Sequence, residues 1–368
     1  MTALSIAHTE ASMGWGGQEI RILTEARGFL ARGHRVAVYA APGSRIAEEA
    51  SGYGVPCTPL PIGRKRPAGV LALARALRES RHDVVNTHSS TDSWLAALAC
   101  RLVPDPPAIV RTRHVSVPVP NDPGTRWLYR TATARVVTTG EALRAQLVRA
   151  NGLDPDRVDS IPTGIDAATF GGISREDARR ALGLPPGARI VGIVATLRSW
   201  KGHRHLVDAF ARLRDPDALL AIVGDGPQRE ALERHVAALS LGARVRFAGQ
   251  QRDVAPWLAA LDVFALPSTA NEGVPQALLQ AMFAGIPCVT TPAGAIPEIA
   301  RDGDTALVVP AGDPAALAAA LARLLADPAL GARLAATARA YVAPRYGLAT
   351  MLDRMEAAFR RAIADARA

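Results

Sequence analysis

Residues 4–30 read LSIAHTEASMGWGGQEIRILTEARGFL and contain, in order, a short apolar run, a glycine-rich loop and a helical pattern. The run Leu4–Ala7 predicts a buried strand. In the helical pattern the apolar residues share one face, and they are Ile22, Leu23, Ala26, Phe29 and Leu30. The charged residues predicted to lie away from that face are Arg21, Glu25, Arg27 and Arg32. A strand that leads through a loop into an amphipathic helix is the repeating unit of a parallel α/β sheet.

The same alternation of strand and helix occurs in two separate sets along the chain. In the first set, apolar runs predict strands at Leu4–Ala7, Arg35–Ala40, Asp83–Thr87, Ala108–Thr112 and Arg135–Thr139. The pattern then restarts, and it predicts strands at Ile190–Ala195, Leu219–Gly224, Val245–Ala248, Val263–Leu266, Pro287–Thr290 and Ala306–Val309. We therefore predict an α/β fold of two Rossmann-like, doubly wound domains with parallel sheets, which face each other across a cleft.

The segment SIPTGID at residues 160–166 separates the two sets, because its proline and glycine interrupt both helix and strand. We place the domain boundary there, with an N-terminal acceptor domain in residues 1–165 and a C-terminal donor domain in residues 166–345. A last helix in residues 346–368 begins after Pro344 and could pack back on the N-terminal domain.

Composition narrows the class of protein. The chain has 368 residues, 49% of them hydrophobic, which is enough for two ordinary cores. Its net charge of +9 is divided as +6 in residues 1–165 and +3 in the rest, a balance that suits an anionic partner. The basic residues are scattered and no nucleic-acid-binding motif appears, so we expect no nucleic acid partner. Neither a signal peptide nor a membrane span is indicated, and the three cysteines are far apart, so we expect a cytoplasmic protein without a zinc site.

A pair of cations follows the first predicted strand of the second domain. The loop TLRSWKG at residues 196–202 would place Arg198 and Lys201 at the carboxyl edge of the sheet. Arginine offers a fork for phosphate oxygens and lysine a compact charge, so together they can neutralise a diphosphate leaving group. Lys201 and Lys65 are the two lysines of an arginine-rich chain, which makes the use of lysine here less accidental.

Two glycine turns are further candidates for contact with a nucleotide. In the first domain Gly16 and Gly17 would let backbone N–H groups approach an anion at a helix N-terminus. In the second domain GDGP at residues 224–227 places Gly224 and Asp225 at a strand end. Ordinary turn chemistry is the competing explanation for both loops.

The loop after Val263–Leu266 leads through NEGVP, residues 271–275, into a helix that begins near Pro275. Glu272 is placed to accept hydrogen bonds from sugar hydroxyls, and the amides of Gly273 and Val274 can donate to sugar or phosphate. The alternative for Glu272 is a carboxylate that only complements the helix dipole.

The segment EGVPQALLQAMFAGIPCV, residues 272–289, resembles the E-x7-E region of family-4 retaining glycosyltransferases. The resemblance covers nearly the whole chain, through Gly16-Gly17, IPTGID at 161–166, the Arg198/Lys201 pair and GDGP at 224–227. It implies the two-Rossmann GT-B fold and a nucleotide-diphosphate sugar as donor. The Arg and Lys would hold the diphosphate and the first Glu the transferred sugar, roles that fall here on Arg198, Lys201 and Glu272.

One position departs from that family pattern. The second glutamate of the region binds the nucleotide ribose, whereas Gln280 stands eight residues after Glu272 in this chain. A glutamine can still donate to and accept from hydroxyls. We predict that nucleotide binding is retained with weaker affinity or an altered preference for base or donor.

Histidines follow two predicted strands of the first domain, His88 after Asp83–Thr87 and His114 after Ala108–Thr112. The resemblance implies that a histidine of the first domain contacts the donor sugar near the reacting carbon, and His114 matches it best. His88 is a secondary candidate. A purely structural histidine is the alternative for each.

The resemblance also implies retention of configuration by a front-face mechanism, in which the leaving phosphate helps to deprotonate the acceptor. We expect no metal and no cofactor, because Arg198, Lys201 and helix N-termini supply the charge stabilisation. The DxD-like sequences at residues 154–156, 215–217 and 302–304 are predicted to be turns.

The acceptor is predicted from charge alone. The basic first domain and its cluster Arg64-Lys65-Arg66 favour a glycan or an anionic lipid-linked saccharide, as in bacterial cell-envelope polysaccharide or lipopolysaccharide synthesis. That cluster would allow peripheral contact with an anionic membrane at the inner face of the cytoplasmic membrane. A solvated loop is the alternative for the cluster.

Other functions remain open on sequence grounds. A sugar-nucleotide epimerase or a phosphorylase could use the same two-domain plan, and a pyridoxal-dependent phosphorylase would need Lys65 as the spare lysine. Gln280 also permits a non-catalytic nucleotide-sugar-binding protein. A nicotinamide dehydrogenase is disfavoured, because neither domain contains GxGxxG with a downstream acid.

Overall fold

The computed structural model describes residues 2–115, 117–170 and 172–367. The chain forms two compact units. The first comprises residues 1–164 and 348–368, and the second comprises residues 165–347.

A parallel sheet of seven strands forms the centre of the first unit. Its strands are β1 Ser5–Glu10, β2 Arg35–Ala40, β3 Cys57–Pro59, β4 Val84–Thr87, β5 Ala108–Arg113, β6 Arg135–Thr138 and β7 Val158–Ser160. Their order across the sheet is β3-β2-β1-β4-β5-β6-β7. The helices of residues 1–164 are α1 Gly17–Ala31, α2 Arg45–Glu49, α3 Pro67–Ser80, α4 Ser90–Cys100, α5 Pro123–Trp127 and α6 Glu141–Asn151.

The second unit repeats this plan with a six-stranded parallel sheet. Its strands are β8 Ile190–Val194, β9 Leu219–Val223, β10 Val245–Gly249, β11 Val263–Leu266, β12 Cys288–Thr290 and β13 Leu307–Val308. Their order is β10-β9-β8-β11-β12-β13. The helices are α7 Arg175–Leu182, α8 His203–Ala211, α9 Arg229–Ala238, α10 Ala255–Ala259, α11 Gln276–Phe283, α12 Pro314–Ala326 and α13 Pro328–Tyr346. One continuous core of apolar side chains fills this unit.

In each sheet the strand order reverses once, between β1 and β4 in the first and between β8 and β11 in the second. Loops on the two sides of such a reversal run in opposite directions and leave a crevice at the carboxyl ends of the strands. Each reversal therefore marks the expected ligand site of its unit.

The last helix, α14 Leu348–Arg367, belongs to the first unit. It packs on α1 so closely that a Cβ atom at Gly28 would lie 2.5 Å from Leu352 Cδ1. The rings of Phe29 and Phe359 are 5.6 Å apart at the centre of this contact. The helix covers one face of the first sheet, while α3, α4 and α6 supply apolar side chains to the other.

Several predicted element bounds differ from the structure. The short strands β3 and β7 were not predicted, since three residues are too few to show a period-two pattern. The helix α13 continues through Pro344 to Tyr346, and the terminal helix begins at Leu348, two residues later than predicted.

Arg21 and Glu25 were predicted to lie away from the apolar face of α1, and the structure shows that both side chains are nevertheless fully buried. The reason is that α1 is covered by α14 as well as by the sheet. Arg21 Nη1 donates to the carbonyl of Ile161 at 2.8 Å, and Arg21 Nε lies 3.5 Å from Glu25 Oε2. A buried charge is tolerated when it is paired and hydrogen-bonded in this way.

Among the described residues, no single helix has the length and hydrophobicity to cross a membrane. The pair α12 and α13 passes that test jointly by length and composition, with a bend of 101° between the two helices.

Candidate functional site

The strand reversal of the second sheet brings together the residues predicted for the donor. Arg198 and Lys201 follow β8, and Glu272 follows the neighbouring strand β11. The amide of Thr269 donates to the carbonyl of Trp200 at 2.7 Å, so the two loops are joined directly. The predicted convergence of these residues at one sheet edge is therefore present in the structure.

Lys201 and Glu272 form an ion pair. Lys201 Nζ lies 2.7 Å from Glu272 Oε1 and 2.9 Å from Oε2, and Ser268 Oγ donates to Oε1 at 2.6 Å. Glu272 is 4% exposed, whereas the Lys201 side chain is 21% exposed. The pair thus holds the carboxylate inside the loop, while part of the Lys201 side chain stays accessible.

Arg198 is exposed, with its guanidinium carbon 5.8 Å from the centre of the Trp200 ring. Within the described part of the chain, no carboxylate forms an ion pair with Arg198. Its charge is therefore uncompensated, unlike that of Lys201. A diphosphate near this loop would meet one free cation and one that is shared with Glu272.

The backbone around Glu272 is fixed by a close contact with the loop after β12. Gly294 has a φ of +57°, and a Cβ atom there would lie 2.1 Å from the carbonyl oxygen of Glu272. The amide of Ala295 donates to that same oxygen at 3.1 Å. Asn271, just before Glu272, is itself left-handed, with a φ of +59°. Only a residue without a side chain fits at position 294.

The turn of Gly224 and Asp225 packs beneath the Arg198 loop. The amide of Leu197 donates to the carbonyl of Asp225 at 3.0 Å. A Cβ atom at Gly224 would lie 2.1 Å from the carbonyl oxygen of Ala195. Close packing of the two backbones is therefore enough to explain why a glycine occupies this position. The side chain of Asp225 is exposed and accepts from the amide of Gly226 at 2.7 Å.

The helix α11 carries the remaining predicted donor contacts. Gly273, Val274 and Pro275 are buried just before its first residue, Gln276, and Pro275 is the N-cap. Gln280 lies one turn further along and is half-buried. Its contact with a ribose stays a prediction.

In the first unit, three histidines form a row across the strand reversal. His8 is on β1, and His88 and His114 directly follow the neighbouring strands β4 and β5. His8 Nδ1 is 3.1 Å from His88 Nε2, and His88 Nδ1 is 3.0 Å from His114 Nε2. His8 and His88 are buried and His114 is half-buried.

Burial keeps these imidazoles neutral. It lowers the pKa of His8 to about 3, with further contributions from Arg21 and His82. The pKa of His88 and that of His114 are also held well below the usual range by burial, and Arg21 adds to both effects. Sequence reasoning missed His8, although its place on β1, next to β4 in a doubly wound order, was the available signal.

The loop of Gly16 and Gly17 lies among carboxyl groups. Glu10 is buried and accepts hydrogen bonds from the Ser12 amide, at 2.7 Å, and from the Gln18 side chain. Its pKa is raised to about 8, chiefly by burial and then by Asp92 and Glu19. The donor role of Gly16 and Gly17 stays a prediction.

Within the described residues, no group of three or more His, Cys, Asp or Glu side chains is arranged to hold a metal ion. In the histidine row the ring nitrogens face one another in pairs and not a common point. The DxD-like segments lie in turns or short 3-10 helices, as in Pro155–Arg157, where the Asp154 side chain accepts from the amide of Asp156.

Two family profiles match the chain, one for each unit. The profile described as Glycosyltransferase Family 4 matches residues 15–169, and the one described as Glycosyl transferases group 1 matches residues 188–327. A 2-deoxystreptamine N-acetyl-D-glucosaminyltransferase of Streptomyces fradiae is 30% identical over 93% of this chain and 90% of its own. The chain belongs to glycosyltransferase family 4.

Further relatives of this glycosyltransferase differ in their acceptors. A D-inositol 3-phosphate glycosyltransferase of Xylanimonas cellulosilytica is 30% identical over 92% of this chain and 91% of its own. Among solved structures, Anabaena HepE in complex with UDP and glucose superposes with a TM-score of 0.84 at 20% identity, over 96% of this chain and 98% of that one. The predicted GT-B fold class is confirmed.

Proposed function

We propose that this glycosyltransferase uses a nucleotide-diphosphate sugar, bound in the second unit, and transfers its sugar to an acceptor hydroxyl with retention of configuration. The observation that carries the proposal is the convergence of Arg198 and the Lys201–Glu272 pair at the strand reversal of the second sheet. Open α/β sheets bind nucleotides at this position. The complex of HepE with UDP and glucose is consistent with it.

Each residue of the donor site has a separate task in this proposal. Arg198 and the exposed part of Lys201 neutralise the diphosphate as the glycosidic bond breaks. Glu272 accepts from hydroxyls of the transferred sugar, and Lys201 and Ser268 hold its carboxylate in place. The amides of Gly273 and Val274 donate to sugar or phosphate, and Gln280 contacts the ribose.

His114 of the first unit is proposed to contact the donor sugar near the reacting carbon. The leaving phosphate would take the proton of the acceptor hydroxyl, so the protein needs no general base of its own. We propose that neither a metal ion nor a cofactor takes part, because Arg198, Lys201 and the start of α11 supply the positive potential.

The acceptor is proposed to be a glycan or a lipid-linked saccharide. The exposed cluster Arg64-Lys65-Arg66 supports contact with an anionic carrier or an anionic membrane surface. This would place the protein in the cytoplasm, at the inner face of the membrane. Vesicle flotation of the wild type and of a triple Ala variant of this cluster tests the contact. Salt-sensitive binding that the variant lacks is expected, and equal flotation of both would contradict it.

A small cyclitol is the second candidate acceptor. The relatives named for 2-deoxystreptamine and for D-inositol 3-phosphate both act on such rings and match over almost the full chain. Turnover with aminocyclitols compared with lipid-linked saccharides separates the two acceptors.

Thermal unfolding with a panel of nucleotide sugars tests the donor. A ligand present at about 100 times its dissociation constant stabilises the folded state by about 2.7 kcal/mol. We expect one class of nucleotide sugar to raise the Tm of the wild type. In Glu272→Gln a nucleoside diphosphate should still raise Tm, but the additional rise in Tm that the sugar causes should be lost. No stabilisation by any nucleotide or nucleotide sugar would contradict the proposal.

A further inference from the structure

We infer that His88, held by His8, is a positioning residue that fixes the tautomer of His114, so that His114 presents Nδ1–H as a permanent hydrogen-bond donor. The inference rests on the proposed contact between His114 and the donor sugar. It assigns to His8 and His88 a function that acts through another imidazole and not on the substrate.

The geometry of the row links the proton positions of the three rings. A neutral imidazole has one N–H donor and one bare nitrogen acceptor. The contacts join Nδ1 of His8 to Nε2 of His88 at 3.1 Å, and Nδ1 of His88 to Nε2 of His114 at 3.0 Å. Both hydrogen bonds form only when all three rings carry the proton on the same kind of nitrogen.

Two arrangements satisfy this condition. With all protons on Nδ1, His8 donates to His88, His88 donates to His114, and His114 Nδ1–H is free to donate. With all protons on Nε2 the direction is reversed, and His114 Nδ1 becomes a bare acceptor. A mixed arrangement sets two donors or two bare nitrogens against each other and loses a hydrogen bond.

The buried end of the row selects between these two arrangements. His8 Nε2 is buried and has no hydrogen-bond partner among the described residues. A buried N–H without a partner is costlier and rarer than a buried acceptor without one. The arrangement with bare Nε2 on His8 is therefore favoured, and it places Nδ1–H on His114.

Burial first, and then the charges around the row, lower the pKa of the three rings and keep the row from taking an extra proton, which would remove the tautomer. Arg21 on α1, with its partner Glu25 at 3.5 Å, adds to the effect of burial at all three rings. Arg113 on β5 acts on His114. Burial together with Arg21 and Arg113 therefore disfavours a positively charged imidazole, although the carboxylate of Asp92 accepts from the His88 amide at 2.8 Å.

The direct test is the protonation state of the ring nitrogens in the full chain, labelled with ¹⁵N histidine and read by NMR without substrate. We expect the Nδ1–H form at His8, His88 and His114 in the wild type. In His88→Phe we expect His114 to become a mixture of tautomers. In His88→Asn the side-chain amide N–H takes the place of His88 Nδ1–H and can still donate to His114 Nε2. His114 should therefore keep its own proton on Nδ1.

The activity of the same variants provides the second readout. With His114 as a donor to the sugar, kcat/KM should fall about tenfold in His88→Phe, which corresponds to one lost hydrogen bond, and His88→Asn should recover most of it. His82→Phe is the control, because His82 is a buried histidine whose hydrogen bonds are made to Ser5 and Tyr39, which lie outside the histidine row. It should leave the tautomer of His114 unchanged.

Three results would overturn the inference: a proton on Nε2 of wild-type His114, a tautomer of His114 that is the same in His88→Phe as in the wild type, or full activity in His88→Phe after its tautomer has changed. The proposed function fails separately. If His114→Phe, which has no side-chain donor, is fully active, the contact of His114 with the donor sugar is wrong. The NMR result on the histidine row is independent of that outcome.

Discussion

At the residue scale, the two cations of the donor site differ in what they already hold. Lys201 is paired with the buried carboxylate of Glu272, whereas Arg198 is exposed and has no carboxylate partner in the described part of the chain. Substitution of each residue should therefore have a different effect on stability.

Arg198→Ala should lower donor affinity and leave the free energy of unfolding within about 0.5 kcal/mol, as for other surface changes. Lys201→Ala should lower both activity and stability, the latter by about 1–3 kcal/mol, because Glu272 would keep a buried charge without its cation. Urea denaturation and donor titration measure the two effects. Equal loss of stability in both variants would contradict the assignment.

Gln280 is the position that departs from the family pattern. In Gln280→Glu a carboxylate could accept from two ribose hydroxyls, so we expect tighter donor binding or a changed base preference, measured by calorimetry. Gln250→Glu makes the same chemical change at an exposed site after β10 and should have no effect. Unchanged donor binding in Gln280→Glu would remove Gln280 from the donor site.

Glu10 predicts a pH dependence of stability. Its pKa is raised from 4.5 to about 8 in the folded state, so the folded state retains this proton where the unfolded state has lost it. The resulting stabilisation is fully present below pH 4.5 and is lost as the pH rises through about 8. Glu10→Gln should flatten the loss of stability of the first unit between these pH values, measured by urea denaturation. If the free energy of unfolding falls with pH equally steeply in the wild type and in Glu10→Gln, Glu10 is not protonated in the folded state.

Residue types at strand ends could be predicted from the sequence, but the partners of their side chains could not. Arg198, Lys201, Glu272 and His114 were found by their positions after strands. The pairing of Lys201 with Glu272 depends on how two loops approach each other, which no spacing encodes. The burial of Arg21 depends on a helix that starts more than 300 residues later.

At the element scale, the loops around β11 and β12 must approach within backbone contact. Gly294→Ala should distort the Glu272 loop, because a Cβ atom would meet the Glu272 carbonyl at 2.1 Å. Gly303→Ala is a matched control with a φ of +69° and open space around the added Cβ.

Both substitutions add left-handed backbone strain of about 1–2 kcal/mol, and only Gly294→Ala adds the clash. We expect loss of transferase activity in Gly294→Ala and near-normal activity in Gly303→Ala, with unfolding measured alongside. Full activity in Gly294→Ala would mean that the Glu272 backbone can move without consequence for the reaction.

Strands with a clear apolar run between breakers were well predicted, whereas the shortest strands and the helix end near Pro344 were not. The bounds of β2 and β11 agree with the structure to the residue, because apolar runs of four to six residues between breakers leave little freedom. The edge strand β3 has three residues and gives no such signal. Pro344 was predicted to precede the start of the last helix, but it lies inside α13, which continues for two more residues before Gly347.

At the scale of the whole molecule, the restart of the strand pattern after residue 166 predicted two sheets, and the family comparison confirms the fold class. Strand order within each sheet could be expected only from the doubly wound topology. It is this order that explains the sites, since each strand reversal gathers one set of polar residues: the histidine row in the first unit and the Lys201–Glu272 pair in the second.

The central claim is retaining transfer from a nucleotide-diphosphate sugar. The most direct test is NMR of the product formed from an α-linked nucleotide sugar and the best acceptor, with Glu272→Gln as the inactive control. We predict an α-glycosidic linkage in the first product formed, and none from the variant. A β-linked product would contradict retention, and turnover by Glu272→Gln at the wild-type rate would contradict the donor site.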